Sequence, residues 1–185
     1  MTPRIGSLFS GSGQLDRAVE QATGGQIVWQ SEIDRGACKV LKHHWPDVPN
    51  LGDIRYVNWS RIRWGLGPVD VLCGGFPCTD ISRAGKQAGL AVGTQSGLWS
   101  EFVRAIDTLR PGLVVIENVR ALLHVSANRH LEPGPRNMVL RGLGAVLGDL
   151  ADLGYDTEWE CLPANSVGAP HRRQRVFITA HPRSI

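Results

Sequence analysis

Three observations predict a doubly wound α/β fold built on a mostly parallel sheet. Short apolar runs alternate with helical stretches along nearly the whole chain. Two of those runs, Val69 to Cys73 and Leu113 to Glu117, read as strands, and the second carries Val and Ile throughout its core, as a strand buried on both faces requires. Glycines and acidic residues recur where the runs end, and open α/β sheets hold their ligands beyond the carboxyl ends of their strands.

Taken in order, Arg4 to Phe9 is the first predicted strand, followed by the turn Gly11-Ser12-Gly13 and a helix over Leu15 to Ala22. Gln26 to Ser31 reads as strand two and Arg35 to His44 as helix two, closed by Pro46 and Pro49, which cannot continue a helix. A short third strand is expected to end near Asp53. Val69 to Cys73 is strand four, Leu98 to Leu109 a helix with Pro111 just beyond it, and Leu113 to Glu117 strand five. Apolar residues at 139, 140, 143, 146, 147, 150 and 153 place a helix over Met138 to Leu153, with Gly154 as its stop. Asp156 to Leu162 and Arg175 to Ala180 supply two closing strands, and His124 to Arg136, with Pro133, Gly134 and Pro135, reads as a mobile linker.

At 185 residues the chain is sized for a single domain spanning 1–185, with a core that needs no staples. It has neither a run of about 18 apolar residues nor a basic start followed by an apolar stretch, so no membrane span or signal peptide is expected. The expected location is cytoplasmic or nucleoid-associated. The four cysteines, at 38, 73, 78 and 161, form no Cys-x-x-Cys pair, which argues against structural zinc and against a disulfide framework. No metal is expected. A net charge of +3 suits an anionic partner without specifying one. Seventeen of the twenty basic residues are Arg, which fits forked phosphate contacts and equally fits codon composition.

The tetrapeptide Phe76-Pro77-Cys78-Thr79 puts a thiol where a strand ends and a loop begins. Pro77 fixes φ while Gly74 and Gly75 permit sharp turning, so the Cys78 side chain is aimed by the backbone, as a nucleophile requires and a packed cysteine does not. Phe9-Ser10-Gly11-Ser12-Gly13 is a glycine turn between strand and helix, which can bring backbone amides to a ligand or be only a turn. Glu32, about 20 positions past those glycines, can accept from ribose hydroxyls, and Asp53 from an exocyclic amine. Together they suit a nucleoside pocket, although each acid alone also suits a cap or a solvated charge. Glu117 emerges from Val114-Val115-Ile116, where burial would raise its pKa and let it donate a proton. Arg173 and Arg175 lead into Val176-Phe177-Ile178 and would share one strand face. The stretch Arg55 to Trp64 is aromatic and basic, fitting a nucleic acid, a partner, or a solvated helix face.

Collinearly from Leu8 to Ile178, these residues resemble the cytosine-5 DNA methyltransferase family. The likeness rests on Phe9 to Gly13, Glu32, Asp53, Gly74 to Cys78, Ser82 to Gly89, Gly97 to Arg104, Glu117 to Val119, and Arg173 to Phe177. It implies a Rossmann-like S-adenosylmethionine-dependent methyltransferase fold. It also implies that Cys78 adds to carbon 6 of a cytosine in DNA while Glu117 hydrogen-bonds the ring, and that Arg173 and Arg175 hold the base. S-adenosylmethionine would be the cofactor, in a pocket formed by Phe9, Ser10, Gly11, Gly13, Glu32, Ile33, Asp53, Ile54 and Pro77. A duplex target would be flipped from its stack, with Ser82 to Gly89 as the closing loop.

The likeness departs at Gln14, Thr79, Ser96 and His171, none of them a catalytic position. The target recognition region that the family carries after Ile178 is expected to be absent, which would leave a second subunit, a minimal enzyme of relaxed preference or a remnant; a homodimer is the other partner arrangement expected. Two other readings keep the same chain: a silent S-adenosylmethionine-binding subunit, and the same chemistry on RNA. A hydrolase pairing Cys78 with His124 or His171 would explain neither Glu32 nor Asp53. Restriction-modification, protection from it and regulation are the roles such a methyltransferase would serve.

Overall fold

The computed structural model describes residues 1–77, 98–124 and 142–184. Its six strands are β1 (Arg4–Leu8), β2 (Gln26–Ser31), β3 (Val71–Gly74), β4 (Leu113–Val119), β5 (Tyr155–Pro163) and β6 (Gln174–Pro182). They lie in one sheet in the order β2-β1-β3-β4-β6-β5. Pairing is parallel from β2 through β4, and antiparallel from β4 to β6 and from β6 to β5. The described helices are α1 (Gln14–Thr23), α2 (Arg35–His44), α3 (Trp59–Gly65), α4 (Leu98–Leu109) and α5 (Gly142–Asp152).

Alternation along the strands divides their side chains between two cores, because successive residues of a strand face opposite sides of the sheet. Ile5, Ile27, Val71 and Cys73 pack with Val19 of α1 on one face. Leu8, Trp29, Leu72, Val114 and Ile116 enter the larger core on the other face, with Trp59 of α3, Phe102 and Ile106 of α4, and Val146 and Leu150 of α5. Helices on both faces explain why the central strands read as unbroken apolar runs.

Helix ends follow local chemistry. Asp34 caps α2 through Ala37 N–H at 2.8 Å, and Asn58 caps α3 through Arg61 N–H at 3.0 Å. Gly24 ends α1 in the left-handed region at φ 67°, where its N–H reaches Glu20 O. Of the helix expected over Met138 to Leu153, the described part is α5; the linker 125–136, Ser82 to Gly89 and Ser96 lie outside the described residues.

The third strand predicted near Asp53 is not there. The segment makes one isolated parallel bridge, Gln30 to Asn50, and then turns into a short 3-10 helix at Ile54–Tyr56. Pro49 brings no amide to a ladder, and Gly52 bends the chain at φ 72°. The aromatic and basic stretch is divided by its helix: Trp59 is 2 % exposed in the core, whereas Trp64 is 86 % exposed.

Gly74, the last residue of β3, marks the tightest approach toward the carboxyl edge. A Cβ there would lie 2.3 Å from Leu8 O and 3.0 Å from the Phe102 ring. Gly74→Ala is therefore expected to cost about 1–3 kcal/mol by overpacking. A urea unfolding midpoint equal to that of the wild type would show that β1 and β3 can separate freely.

Candidate active site

Several of the predicted residues among those described lie along the carboxyl edge of the parallel strands. After β1 the backbone enters the left-handed region at Phe9 (φ 52°), Gly11 (φ 54°) and Gly13 (φ 80°). Phe9 is an unfavourable residue for that conformation, and such strain is kept where surrounding contacts over-determine it. Its ring lies 6.4 Å from that of Phe102.

Glu32 directly follows β2, and its carboxylate is organised by amides. One oxygen accepts from Gly11 N–H at 2.8 Å, the other from Ile33 and Asp34 N–H, each at 2.8 Å. Asn50 holds the same residue by its main chain, accepting from Glu32 N–H at 3.1 Å and donating to Glu32 O at 3.1 Å. The Ile33 side chain beside it is 64 % exposed. Ile54, by contrast, is 3 % exposed within the main core, and its carbonyl accepts from Arg104 at 3.2 Å.

Asp53 caps the 3-10 helix through Arg55 N–H at 3.0 Å and pairs with the Arg55 guanidinium at 2.5 Å. Hydrogen bonding from Arg55 holds the Asp53 carboxyl below its ordinary value. No periodicity announces this pairing, because the partners stand only two positions apart.

At the end of β3, Gly75 makes room for Glu117: a Cβ on Gly75 would lie 3.2 Å from Glu117 Oε2 and 3.0 Å from Glu117 O. Phe76 is 2 % exposed, its ring 5.0 Å from that of Trp99. Asn118 Nδ2 donates to Phe76 O at 3.1 Å, so the chain is clamped by both main chain and ring one residue before Pro77. Asn118 went unnoticed as a positioning group, although a polar residue at a buried step of the β4 alternation is the signal for one. Cys78, Thr79 and the loop beyond lie outside the described residues.

Across from β3, β6 pairs with β4 so that Val119 faces Arg175 and Glu117 faces Phe177. Arg175 Nε contacts Glu117 Oε1 at 2.5 Å, with the two side chains 19 % and 31 % exposed. Burial raises the Glu117 pKa above its ordinary value, and the positive charge of Arg173 works against that rise. Arg173 does not share a strand face with Arg175 as expected. β6 begins at Gln174, so Arg173 stands outside the strand and exposed, acting on Glu117 through its charge.

Among the described residues no group of three or more His, Cys, Asp or Glu could hold a metal ion, and no helix is long and apolar enough to cross a membrane.

The sheet, parallel through β4 with β6 antiparallel beside it and helices on both faces, has the Rossmann-like α/β architecture. Two solved structures share the fold: a mutant form of Spodoptera frugiperda DNMT2 (TM-score 0.71, 23 % identity) and the S. pombe Dnmt2 methyltransferase (TM-score 0.72, 17 % identity). They cover 100 % and 99 % of this chain, which in turn covers 51 % and 52 % of theirs. The family is fixed by sequence: residues 3–184 match the C-5 cytosine-specific DNA methylases, and the chain belongs to that family. Similar curated relatives include the type II methyltransferases M.NlaIV of Neisseria lactamica, 33 % identical over 183 residues, and M.Eco47II of Escherichia coli, 36 % identical over 175. These matches take in 96 % and 94 % of this chain but 41 % and 38 % of the relatives, so the chain spans about two fifths of their length.

Removing the nearby charge tests the electrostatics of this edge. In Arg173→Ala the Glu117 carboxyl loses a group that favours its ionised form, so its titration midpoint is expected to move up. Carboxyl-carbon NMR reads this directly, and a midpoint that stays or falls would mean that Arg173 is not felt at Glu117.

Proposed function

We propose that this chain transfers a methyl group from S-adenosylmethionine to carbon 5 of cytosine in DNA, with Cys78 as the nucleophile. The observation that carries the reading is the Glu117–Arg175 pair at the sheet edge, one glycine away from the clamped Phe76-Pro77 that leads into Cys78. Family membership supplies the reaction class. Because the chain matches about two fifths of its relatives, the proposal concerns the chemical step, and choice of target sequence is assigned to other sequence, on this polypeptide or on another.

The residues present fit the cofactor. The positive-φ turn after β1 exposes backbone to a close-packed ligand, Glu32 is held rigidly beside it, Ile33 offers an exposed apolar face, and Asp53 is kept ionised to accept from an amine. Phe9, Ser10, Gly11, Gly13, Glu32, Ile33, Asp53, the Ile54 main chain and Pro77 would line that site. S-adenosylmethionine, when bound, supplies an electrophilic methyl group and leaves as the neutral thioether.

Cytosine carbon 5 is a poor nucleophile until carbon 6 carries a substituent. In the proposed cycle the Cys78 thiolate forms a bond to carbon 6, and the electron pair displaced from the 5,6 double bond moves toward carbon 5. Glu117, whose burial favours the protonated form, donates to ring nitrogen 3 and accepts from the exocyclic amine, spreading the developing charge. Arg175 and Arg173 bring positive charge to the ring carbonyl, where it opposes charge that builds up during addition. Carbon 5 then bonds the methyl carbon. A base takes the carbon 5 proton, the carbon 6–sulfur bond breaks, and the thiolate returns to its starting state. A base inside a duplex must first leave its stack, at a cost of about a few kcal/mol.

Incorporation of labelled methyl groups into DNA measures the reaction. Cys78→Ser is expected to lower transfer by about a thousandfold or more. Glu117→Ala is expected to lower it by about 10² to 10⁴, the range for a positioned acid. Transfer that survives Cys78→Ser unchanged would overturn the mechanism.

A further inference from the structure

Beneath the turn that follows β1 lies a buried acid with no place in the chemistry above. Asp16, in the first turn of α1, is 0 % exposed, and burial raises its pKa while Ser7 and Gln30 hold it down. Burying a carboxylate costs several kcal/mol unless each oxygen is satisfied. Here both are: Ser7 Oγ donates to one oxygen at 2.7 Å, and Gln30 Nε2 donates to the other at 2.8 Å.

Each of those donors belongs to a segment that carries a pocket residue. The Ser7 proton is committed to Asp16, so Ser10 is the donor in the 2.7 Å contact between the two hydroxyls. Ser10 is the residue after Phe9, is 8 % exposed, and accepts Gly13 N–H on its carbonyl at 2.9 Å. The glycine turn is thus tied to Asp16 through Ser7. On the other side, Gln30 stands two residues before Glu32. Its main chain accepts from Leu51 N–H at 2.7 Å and donates to Pro49 O at 3.0 Å, which ties in the segment leading to Asp53. Ser31 Oγ adds a bond to Gly52 O at 2.7 Å.

We propose that Asp16 is a positioning residue for the cofactor site: one buried carboxylate sets the relative placement of the glycine turn, Glu32 and the Asp53 segment through Ser7–Ser10 and Gln30. It touches no reacting atom. This inference rests on the cofactor reading above and extends it to residues beneath the pocket.

Binding of S-adenosylhomocysteine by calorimetry, together with hydrogen exchange at the Gly11 and Gly13 amides in the ligand-free protein, tests it. Ser10→Ala leaves both Asp16 bonds in place and cuts only the tether to the turn. It is expected to weaken binding about fivefold to tenfold, the equivalent of one lost buried hydrogen bond, and to speed exchange at both glycines. Asp16→Ala is expected to weaken binding at least as much. Asp16→Asn is expected to stay within about twofold of the wild type, because its oxygen can accept from Gln30 while its amide donates to Ser7, whose proton turns to Ser10. Unchanged binding and exchange in Ser10→Ala would overturn the proposal, whether or not Asp16→Ala folds. Asp16→Asn as weak as Asp16→Ala would also overturn it, since geometry would then be irrelevant and the charge decisive. A wild-type chain that binds no S-adenosylhomocysteine would remove the cofactor reading, and this inference with it.

Discussion

The antiparallel pairing of β6 against β4 is the constraint on which the candidate site depends. β4, seven residues long, runs past its parallel pairing with β3 after Ile116; β6, running the other way, delivers its first residues to that same edge. Register then does the rest. With Val119 opposite Arg175, the guanidinium meets Glu117 at 2.5 Å, and a one-residue slip would send Arg175 to the opposite face. The bare Gly75 and the Asn118 bond to Phe76 O bring β3's exit to the same point. Three strands, two of them parallel and one reversed, thereby converge on a single partly buried carboxyl.

The other half of the edge is organised differently. Glu32 and Asp53 are held by backbone amides and by Arg55, not by burial. Acceptors fixed in this way lose little entropy when a ligand donor arrives, which is the physical content of preorganisation. The Arg55–Asp53 pair is solvent-accessible and worth little in free energy, so a ligand amine can share or displace it. Glu117 stands in contrast: burial lifts its pKa, which suits a group that must give a proton, whereas Asp53 is held down, which suits one that must accept. Their surroundings shift two carboxyls at one edge in opposite directions, as the roles proposed for them require.

Much of this was legible in the sequence, for reasons that can be stated residue by residue. β3 and the first half of β4 announced themselves because a strand covered on both faces reads as an apolar run, and α2 because Pro46 stops what precedes it. Glu32 and Glu117 stand at strand ends, where an open sheet presents polar groups, whereas Asp53 follows no strand and caps a 3-10 helix instead. The segment before Asp53 was misread because Asn50-Leu51 suggests a short strand, while Pro49 and Gly52 allow only one bridge. Arg173 was misplaced by one residue of strand length. The hidden network around Asp16 could not be read at all, since its members at positions 7, 10, 16 and 30 come together only when the first two strands pair.

The central claim is that the thiol beyond Pro77 attacks the base while Glu117 and Arg175 hold it. A duplex carrying 5-fluorocytosine tests this most directly, because fluorine at carbon 5 cannot leave as the proton does and the cycle stops with sulfur still bonded to carbon 6. Incubation with S-adenosylmethionine, followed by digestion and mass spectrometry, is expected to yield one methylated nucleotide adduct, on the peptide containing Cys78. An adduct on Cys38, Cys73 or Cys161 instead, or methyl transfer to ordinary cytosine with no adduct formed on the fluorinated duplex, would contradict it.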